Sequence, residues 1–235
     1  MRHGESEGNV ARDAAEAAGL PMIDIAERDM DVALSALGRR QAAAVGEWLA
    51  DLGRARPTVA VTSPYRRARE TGSIALDAAG LAHVDLTIDE RLREREFGAL
   101  DRLTKRGILE RFPEEAEARR RLGKFYHRPP GGESWCDVAL RVRSAIDTLT
   151  REHPGERILV VAHQVVILMF RYVLERMTED EILAIDRATE VANCAVTSFV
   201  QDGDGMRLER FNETVAVVEA GERVTAEPDQ PVAAR

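Results

Sequence analysis

Cysteine and lysine are both scarce in this chain. Cys136 and Cys194 are its only thiols; they stand far apart and form no C-x-x-C pair, so two reduced thiols are expected rather than a disulfide framework. Lys105 and Lys124 are the only lysines among 33 basic residues, and against 41 acidic residues the formal charge is −8. A balance of that sign excludes the electrostatic footprint of a nucleic-acid or anionic-membrane protein. Long apolar runs are missing too. The longest, Val165 to Phe170, falls far short of the roughly 20 residues that span a bilayer. The chain is polar and charged from Arg2 onward, with no signal-peptide pattern, so a soluble cytoplasmic protein is expected. It carries no P-loop, internal repeat or low-complexity tract.

What is present fits one α/β domain with a modest insert, because 235 residues at 44% hydrophobic content supply a sizeable core. Apolar periodicity alternates between two types, which predicts a three-layer α/β/α fold with a mostly parallel central sheet. Ser35 is positioned to cap a helix through Val45, Trp48 and Leu49 that stops at Gly53. Thr58–Thr62 reads as a buried strand, and Pro64 follows where a helix running to about Gly80 begins. Val84–Ile88 alternates like a strand. Residues 101–132 shift to Arg, Glu, Gly and Pro, reading as a helical excursion, and Ser134 opens an amphipathic helix through Val138, Val142, Ile146 and Leu149. Arg157–Ala162 is the clearest strand, followed by a buried helix over Val165–Leu174. Val196–Val200 and Met206–Leu208 predict a terminal antiparallel pair around the turn at 202–205. The domain is expected to span 1–220, with the polar tail 221–235 fraying.

Three stretches place reactive or cationic groups where a strand gives way to a helix, the end of an open α/β sheet at which ligands bind. They are Arg2-His3-Gly4-Glu5-Ser6 with Asn9, Thr62-Ser63-Pro64-Tyr65-Arg66-Arg67-Ala68, and Val160-Val161-Ala162-His163. A fourth, Leu92-Arg93-Glu94-Arg95-Glu96-Phe97-Gly98, puts carboxylates in a loop after a strand. Guanidiniums bind phosphate oxygens bidentately, an imidazole can attack phosphorus, and a carboxyl group can protonate a departing alkoxide. Singly, each residue has a plainer explanation, a hydrogen-bonded structural histidine or a solvated charge. Jointly they point to phosphoryl transfer.

These segments resemble, in order and spacing over almost the whole chain, the histidine phosphatase (phosphoglycerate mutase-like) superfamily. R-H-G-E-S with Asn9 is similar to that family's signature loop, and Ser63-Pro64-x-x-Arg67-Ala68-x-x-Thr71 to its second motif. Leu92-x-Glu94-x-x-Phe97-Gly98 looks like its acid-bearing loop, and Pro130-Gly131-Gly132-Glu133-Ser134 and the strand ending in His163 complete the likeness. The resemblance implies a phosphomonoesterase in which His3 attacks phosphorus, Glu94 is general acid and base, and a charged His163 steadies the phosphoryl group. Arg2, Asn9, Arg67 and Gln164 would hold that group, with Arg66 a bystander. It implies no metal and no cofactor, a small phosphate ester as the partner, and a helical cap at about 101–132 that sets specificity. A homodimer is common among relatives, and nothing in this chain demands one. Gln164 after His163, with Glu110–Glu115 and Lys124–Pro129, resembles the fructose-2,6-bisphosphatase branch, which makes Tyr126 and Arg128 candidates for the rest of the substrate. Gly131, where that branch has a basic residue, departs from it. A broad-specificity phosphatase, a mutase and an inactive phosphate-binding relative stand as alternatives; a mutase is expected to carry a longer insert before Ser134.

Family members lead into Arg-His-Gly with a hydrophobic strand, and here only Met1 precedes Arg2. The expectation is that this first strand is missing, leaving ladder groups in the sheet unpaired, and that the natural protein starts upstream.

Overall fold

The computed structural model describes residues 1–203 and 205–226. In chain order the elements are α1 (Glu7–Ala17), α2 (Ala36–Asp51), β1 (Val59–Thr62), α3 (Arg66–Ala78), β2 (Leu86–Ile88), α4 (Lys105–Arg111) and α5 (Pro113–Leu122). They continue with α6 (Trp135–Glu152), β3 (Ile158–Val161), α7 (Gln164–Leu174), α8 (Glu179–Ala188), β4 (Val196–Asp202), β5 (Gly205–Glu213) and α9 (Val215–Glu219). Helix starts follow from local chemistry. Ser6 with Asn9, Ser134 with Asp137 and Thr178 with Glu181 form reciprocal capping boxes at α1, α6 and α8, and the Ser35 side chain caps α2. Each satisfies backbone N–H groups that the first turn leaves orphaned.

β1 lies between β2 and β3, and both pairings are parallel, with Val61 opposite Thr87 on one side and Val160 on the other. Successive residues of β1 and β3 face opposite layers. Ala60, Leu159 and Val161 pack with α2, α3 and α9, whereas Val59, Val61, Ile158 and Val160 pack with α6, α7 and α8. Burial on both faces is why these strands read as unbroken apolar runs. β4 and β5 form the expected antiparallel pair.

The first three residues run alongside β3 and pair with it. The Met1 amino group donates to Val160 O (2.8 Å), Ala162 N–H donates to Met1 O (3.0 Å) and His3 N–H donates to Ala162 O (3.0 Å). On the other side Arg2 N–H donates to Ala195 O (3.1 Å) and Cys194 N–H to His3 O (3.2 Å). The expected unpaired ladder groups beside β3 therefore find partners, and His3 is pinned between two backbone segments.

Two expectations need correction. In 101–132, α4 and α5 gather Leu100, Leu103, Ile108 and Ala116 into a small separate core and brace the turn at Pro21, whose carbonyl accepts from Thr104 N–H (3.1 Å). Only Asp101 and Arg102 of the insert reach the cavity described below. The tail also does not fray at Gly221. Glu222 pairs with Arg40 at 2.8 Å, Asn193 N–H donates to Thr225 O (2.8 Å), and Ala226 bridges to Ala192. Residues 227–235 of the predicted tail lie outside the described residues.

Candidate active site

One cavity opens at the carboxyl end of the sheet, lined by Arg2, His3, Asn9, Arg67, Glu94 and Gln164 among others. His3 is buried. Its Nδ1 lies 2.7 Å from Gly4 O, an acceptor that fixes the proton on Nδ1 and leaves a lone pair on Nε2. Arg67 Nε–H donates to that lone pair at 3.3 Å. Burial first, then the Arg67 and Arg2 guanidiniums, hold His3 well below the usual imidazole range, so the ring is neutral near pH 7 with its lone pair on Nε2.

The loop around His3 is held by groups far away in sequence. Gly4 N–H donates to Thr71 Oγ1 (3.0 Å) and Glu5 N–H to Gln41 Oε1 (2.9 Å). Gln41 Nε2 donates in turn to Arg223 O (2.8 Å) and Thr225 Oγ1 (3.1 Å). Thr225 Oγ1 donates to Asn193 Oδ1 (2.9 Å), and Asn193 Nδ2 donates to His3 O (3.1 Å). Gln41 and Asn193 are fully buried, so each of these bonds offsets a desolvated polar group. Gly38 in the first turn of α2 lets this loop lie against the helix, since a Cβ there would sit 1.9 Å from Glu5 O.

His163 stands behind His3, their ring centroids 5.1 Å apart in an edge contact. Its Nε2 lies 2.8 Å from Ser63 Oγ, which also accepts from Tyr65 N–H (3.2 Å). Ser63 is thus placed to donate to Nε2, putting the ring proton on Nδ1. That Nδ1 lies 3.4 Å from Glu94 Oε2 and has no hydrogen-bond partner among the described residues. Burial, then Arg67 and His3, push His163 well below the usual imidazole range, a direction opposed to the charged ring that the resemblance implied. The ring is fully buried, in edge contact with His3.

Glu94 takes Arg95 N–H on Oε1 (2.9 Å). Burial raises its carboxyl to about 7, against the opposing pull of Arg67, the Arg95 N–H and Arg2, so near neutrality it can both give and accept a proton. Arg2 Nη1 donates to Gln164 Oε1 (3.0 Å) and to Val191 O. Asn9 Oδ1 accepts from Ser6 N–H (2.9 Å), which orients the amide and leaves its NH₂ as the donor toward the cavity. Tyr126 and Arg128 are not brought in. The Tyr126 hydroxyl donates to Glu179 and Arg128 pairs with Asp137, and neither lines the cavity.

Sequence reasoning missed the outer wall. Ile23, Ile25, Glu27, Asp29 and Val32 come from the irregular segment between α1 and α2, joined by Arg12, Phe97, Asp101 and Arg102. Nothing periodic marks that segment. Arg102 Nη1 ties it down by donating to Ile25 O (3.0 Å), and Arg67 donates to the Asp29 carboxylate.

Ligand atoms of His3, Glu94 and His163 lie within 4.8 Å of one another, a spacing that invites comparison with a metal site. The guanidinium N–H on His3 Nε2 and the adjacent Arg2 make these surroundings cationic, and they suit a tetrahedral anion better than a second cation.

Residues 1–214 match the family model of the histidine phosphatase superfamily (branch 1). The chain belongs to that superfamily. Its members are phosphatases and mutases, so this histidine phosphatase relative is an enzyme-family protein with a mixed α/β fold built on a parallel sheet. It is 34% identical over 193 residues to a 2,3-bisphosphoglycerate-dependent phosphoglycerate mutase of Rhizobium meliloti (strain 1021), covering 81% of this chain and 85% of that protein. It superposes on a mycobacterial glucosyl-3-phosphoglycerate phosphatase solved with VO3, with a TM-score of 0.69 and 29% identity, over 90% of this chain and 96% of the other. An α-ribazole-5'-P phosphatase candidate of Escherichia coli K-12 shares the fold at a TM-score of 0.72 and 20% identity, over 91% and 94% of the two chains. Among the described residues no helix is long and apolar enough to cross a membrane.

Proposed function

We propose that this protein hydrolyses a small phosphate monoester through a phosphohistidine on His3. The observation that carries the reading is the His3 imidazole itself: neutral, with its Nδ1 proton engaged by Gly4 O and its Nε2 lone pair in a cavity rimmed by Arg67 and Glu94. His3 Nε2 attacks phosphorus, the N–P bond forms and the P–O bond to the alcohol breaks. Glu94, still protonated in part near pH 7, gives its proton to the departing oxygen. The Glu94 carboxylate then takes a proton from water, whose oxygen attacks phosphorus, and the N–P bond breaks to release inorganic phosphate. Arg2 and Arg67, with Asn9 and Gln164, hold the equatorial oxygens. His163, in edge contact with the His3 ring, donates from Nδ1 to the phosphoryl group and stabilises the charge that builds there. Two free thiols support a reducing, cytoplasmic setting.

The likeness to a phosphoglycerate mutase supports a second reading, in which the phosphoryl group on His3 returns to a bound intermediate instead of water. A panel of esters that includes 3-phosphoglycerate, fructose 2,6-bisphosphate and neutral sugar phosphates, with both released phosphate and isomerised product measured, separates the two. Phosphate release without isomer is the expected result, and isomer without phosphate establishes the mutase. His3→Ala should lose turnover by roughly four orders of magnitude or more, together with the acid-labile phosphoenzyme. Turnover retained in that variant excludes His3 as nucleophile.

A further inference from the structure

The Arg67 guanidinium already holds an anion, and that anion is part of the chain. Its Nε–H is given to His3 Nε2 (3.3 Å), while Nη1 and Nη2 reach the two carboxylate oxygens of Asp29 at 2.9 and 3.3 Å. Nη1 also donates to Asp29 O at 2.6 Å. This fork-on-fork arrangement is the one a guanidinium offers a phosphoryl group. Arg67 is almost fully buried, whereas the Asp29 side chain is 41% exposed and sits on a short turn in the irregular outer wall, free of the sheet. The outer wall repeats the sign. Asp101 and Glu27 line the same chamber, and burial first, then the Asp29 charge, raises the Asp101 carboxyl. Two guanidiniums, Arg12 and Arg102, share that chamber, and Arg102 is committed to the carbonyls of Ile25 (3.0 Å) and Glu27 (2.7 Å).

Building on the phosphomonoesterase reading, we propose that Asp29 is a specificity-determining residue. Its carboxylate occupies the Arg67 fork, must yield it to the incoming phosphoryl group, and selects against esters whose alcohol carries a second anion. The substrate class is therefore a phosphate ester of a neutral or cationic alcohol. The displaced carboxylate stays beside the bound anion and repels it. For the same reason inorganic phosphate is held weakly after the second step and leaves readily.

The test uses Asp29→Asn, which keeps the backbone carbonyl and the side-chain shape but removes the charge and one of the two acceptors facing Arg67, with Asp29→Ala as a second variant should the first fold poorly. Inorganic phosphate is titrated as a competitive inhibitor of p-nitrophenyl phosphate turnover. kcat/KM is compared for glycerol 3-phosphate and 3-phosphoglycerate, esters of the same size that differ by a carboxylate. The expected result is about tenfold tighter inhibition by phosphate in the variant, the scale of relieving a like-charge contact. The preference for glycerol 3-phosphate over 3-phosphoglycerate should narrow by a similar factor. A residue with a merely structural role would loosen phosphate when changed. An inhibition constant that is unchanged or raised, or a ratio between the two esters that does not move, overturns the proposal. A wild-type protein that turns over no ester defeats the phosphomonoesterase reading by itself, and calorimetric binding of inorganic phosphate to wild type and variant still decides the role of Asp29.

Discussion

The inner seat and the outer wall of the cavity are built in opposite ways. His3, Ser63 and His163 sit at the ends of sheet segments, with backbone bonds on one or both sides and little or no exposure. The outer wall comes from irregular chain between α1 and α2 and from Phe97–Arg102, held by isolated contacts such as Arg102 to the carbonyls of Ile25 and Glu27. A phosphoryl group needs the same reception whatever alcohol it is attached to, so the inner seat belongs on rigid elements. The alcohol is what differs between substrates, and loops are where a fold tolerates variation.

The comparison is tested most severely at Glu94, which touches both regions. Glu94→Gln cannot donate or accept a proton, and kcat on an alkyl phosphate should fall about 10²- to 10⁴-fold. The loss should be much smaller for p-nitrophenyl phosphate, whose leaving group needs no proton. The pH profile of the wild type should fall above about 7, where the carboxyl loses its proton, and that limb should vanish in the variant. Stability moves the other way. A carboxyl raised from its ordinary value to about 7 contributes stability that is complete below pH 4.5 and is lost as pH rises through 7. Replacing the charge with an amide should therefore stabilise the protein at pH 8, by up to about 3 kcal/mol, and do little near pH 4. Denaturant unfolding at the two pH values checks the sign, and equal effects at both would place the Glu94 carboxyl in water rather than in the seat.

Legibility in the sequence follows the same division. The parallel strands announced themselves because burial on both faces leaves apolar runs such as Ile158–Val161, and Ser35 and Ser134 marked helix starts by their capping chemistry. His3, Arg67, Glu94 and His163 could be singled out because their residue types and spacing follow the motifs. Asp29, Ile23 and Ile25 carried no such mark, since a loop held by carbonyl contacts leaves no period to read. The motif likewise gave no warning that Tyr126 and Arg128 turn away to Glu179 and Asp137. Residues 223–225 read as a polar tail, yet their partners Gln41 and Asn193 lie at sequence separations of 182 to 184 and 32 residues, beyond any local pattern.

That tail sharpens the account of the inner seat. Thr225→Val keeps the shape and removes the hydroxyl that joins Gln41 to Asn193, leaving buried polar atoms unsatisfied at about 1–3 kcal/mol. Since Asn193 holds the His3 carbonyl, the activity loss should fall on kcat, several-fold to about tenfold, with KM almost unmoved and His3 still phosphorylated. A loss confined to KM would mean the strap serves the outer wall instead.

The smallest effect is expected at the wall itself. Ile25 lines the cavity and its carbonyl is gripped by Arg102. Ile25→Ala leaves that backbone contact in place and removes only apolar surface facing the alcohol. One or two methylene groups in a hydrophobic pocket discriminate by roughly 10- to 200-fold at most. A wall position that is half-exposed belongs at or below the bottom of that range. kcat/KM should therefore shift a few-fold between a bulky and a small ester while inhibition by inorganic phosphate, which carries no alcohol to meet Ile25, stays constant. Measured together, the two numbers separate the regions: an inhibition constant that moves with Ile25 would mean the seat is not the rigid unit the sheet makes it, and that wall and seat answer as one.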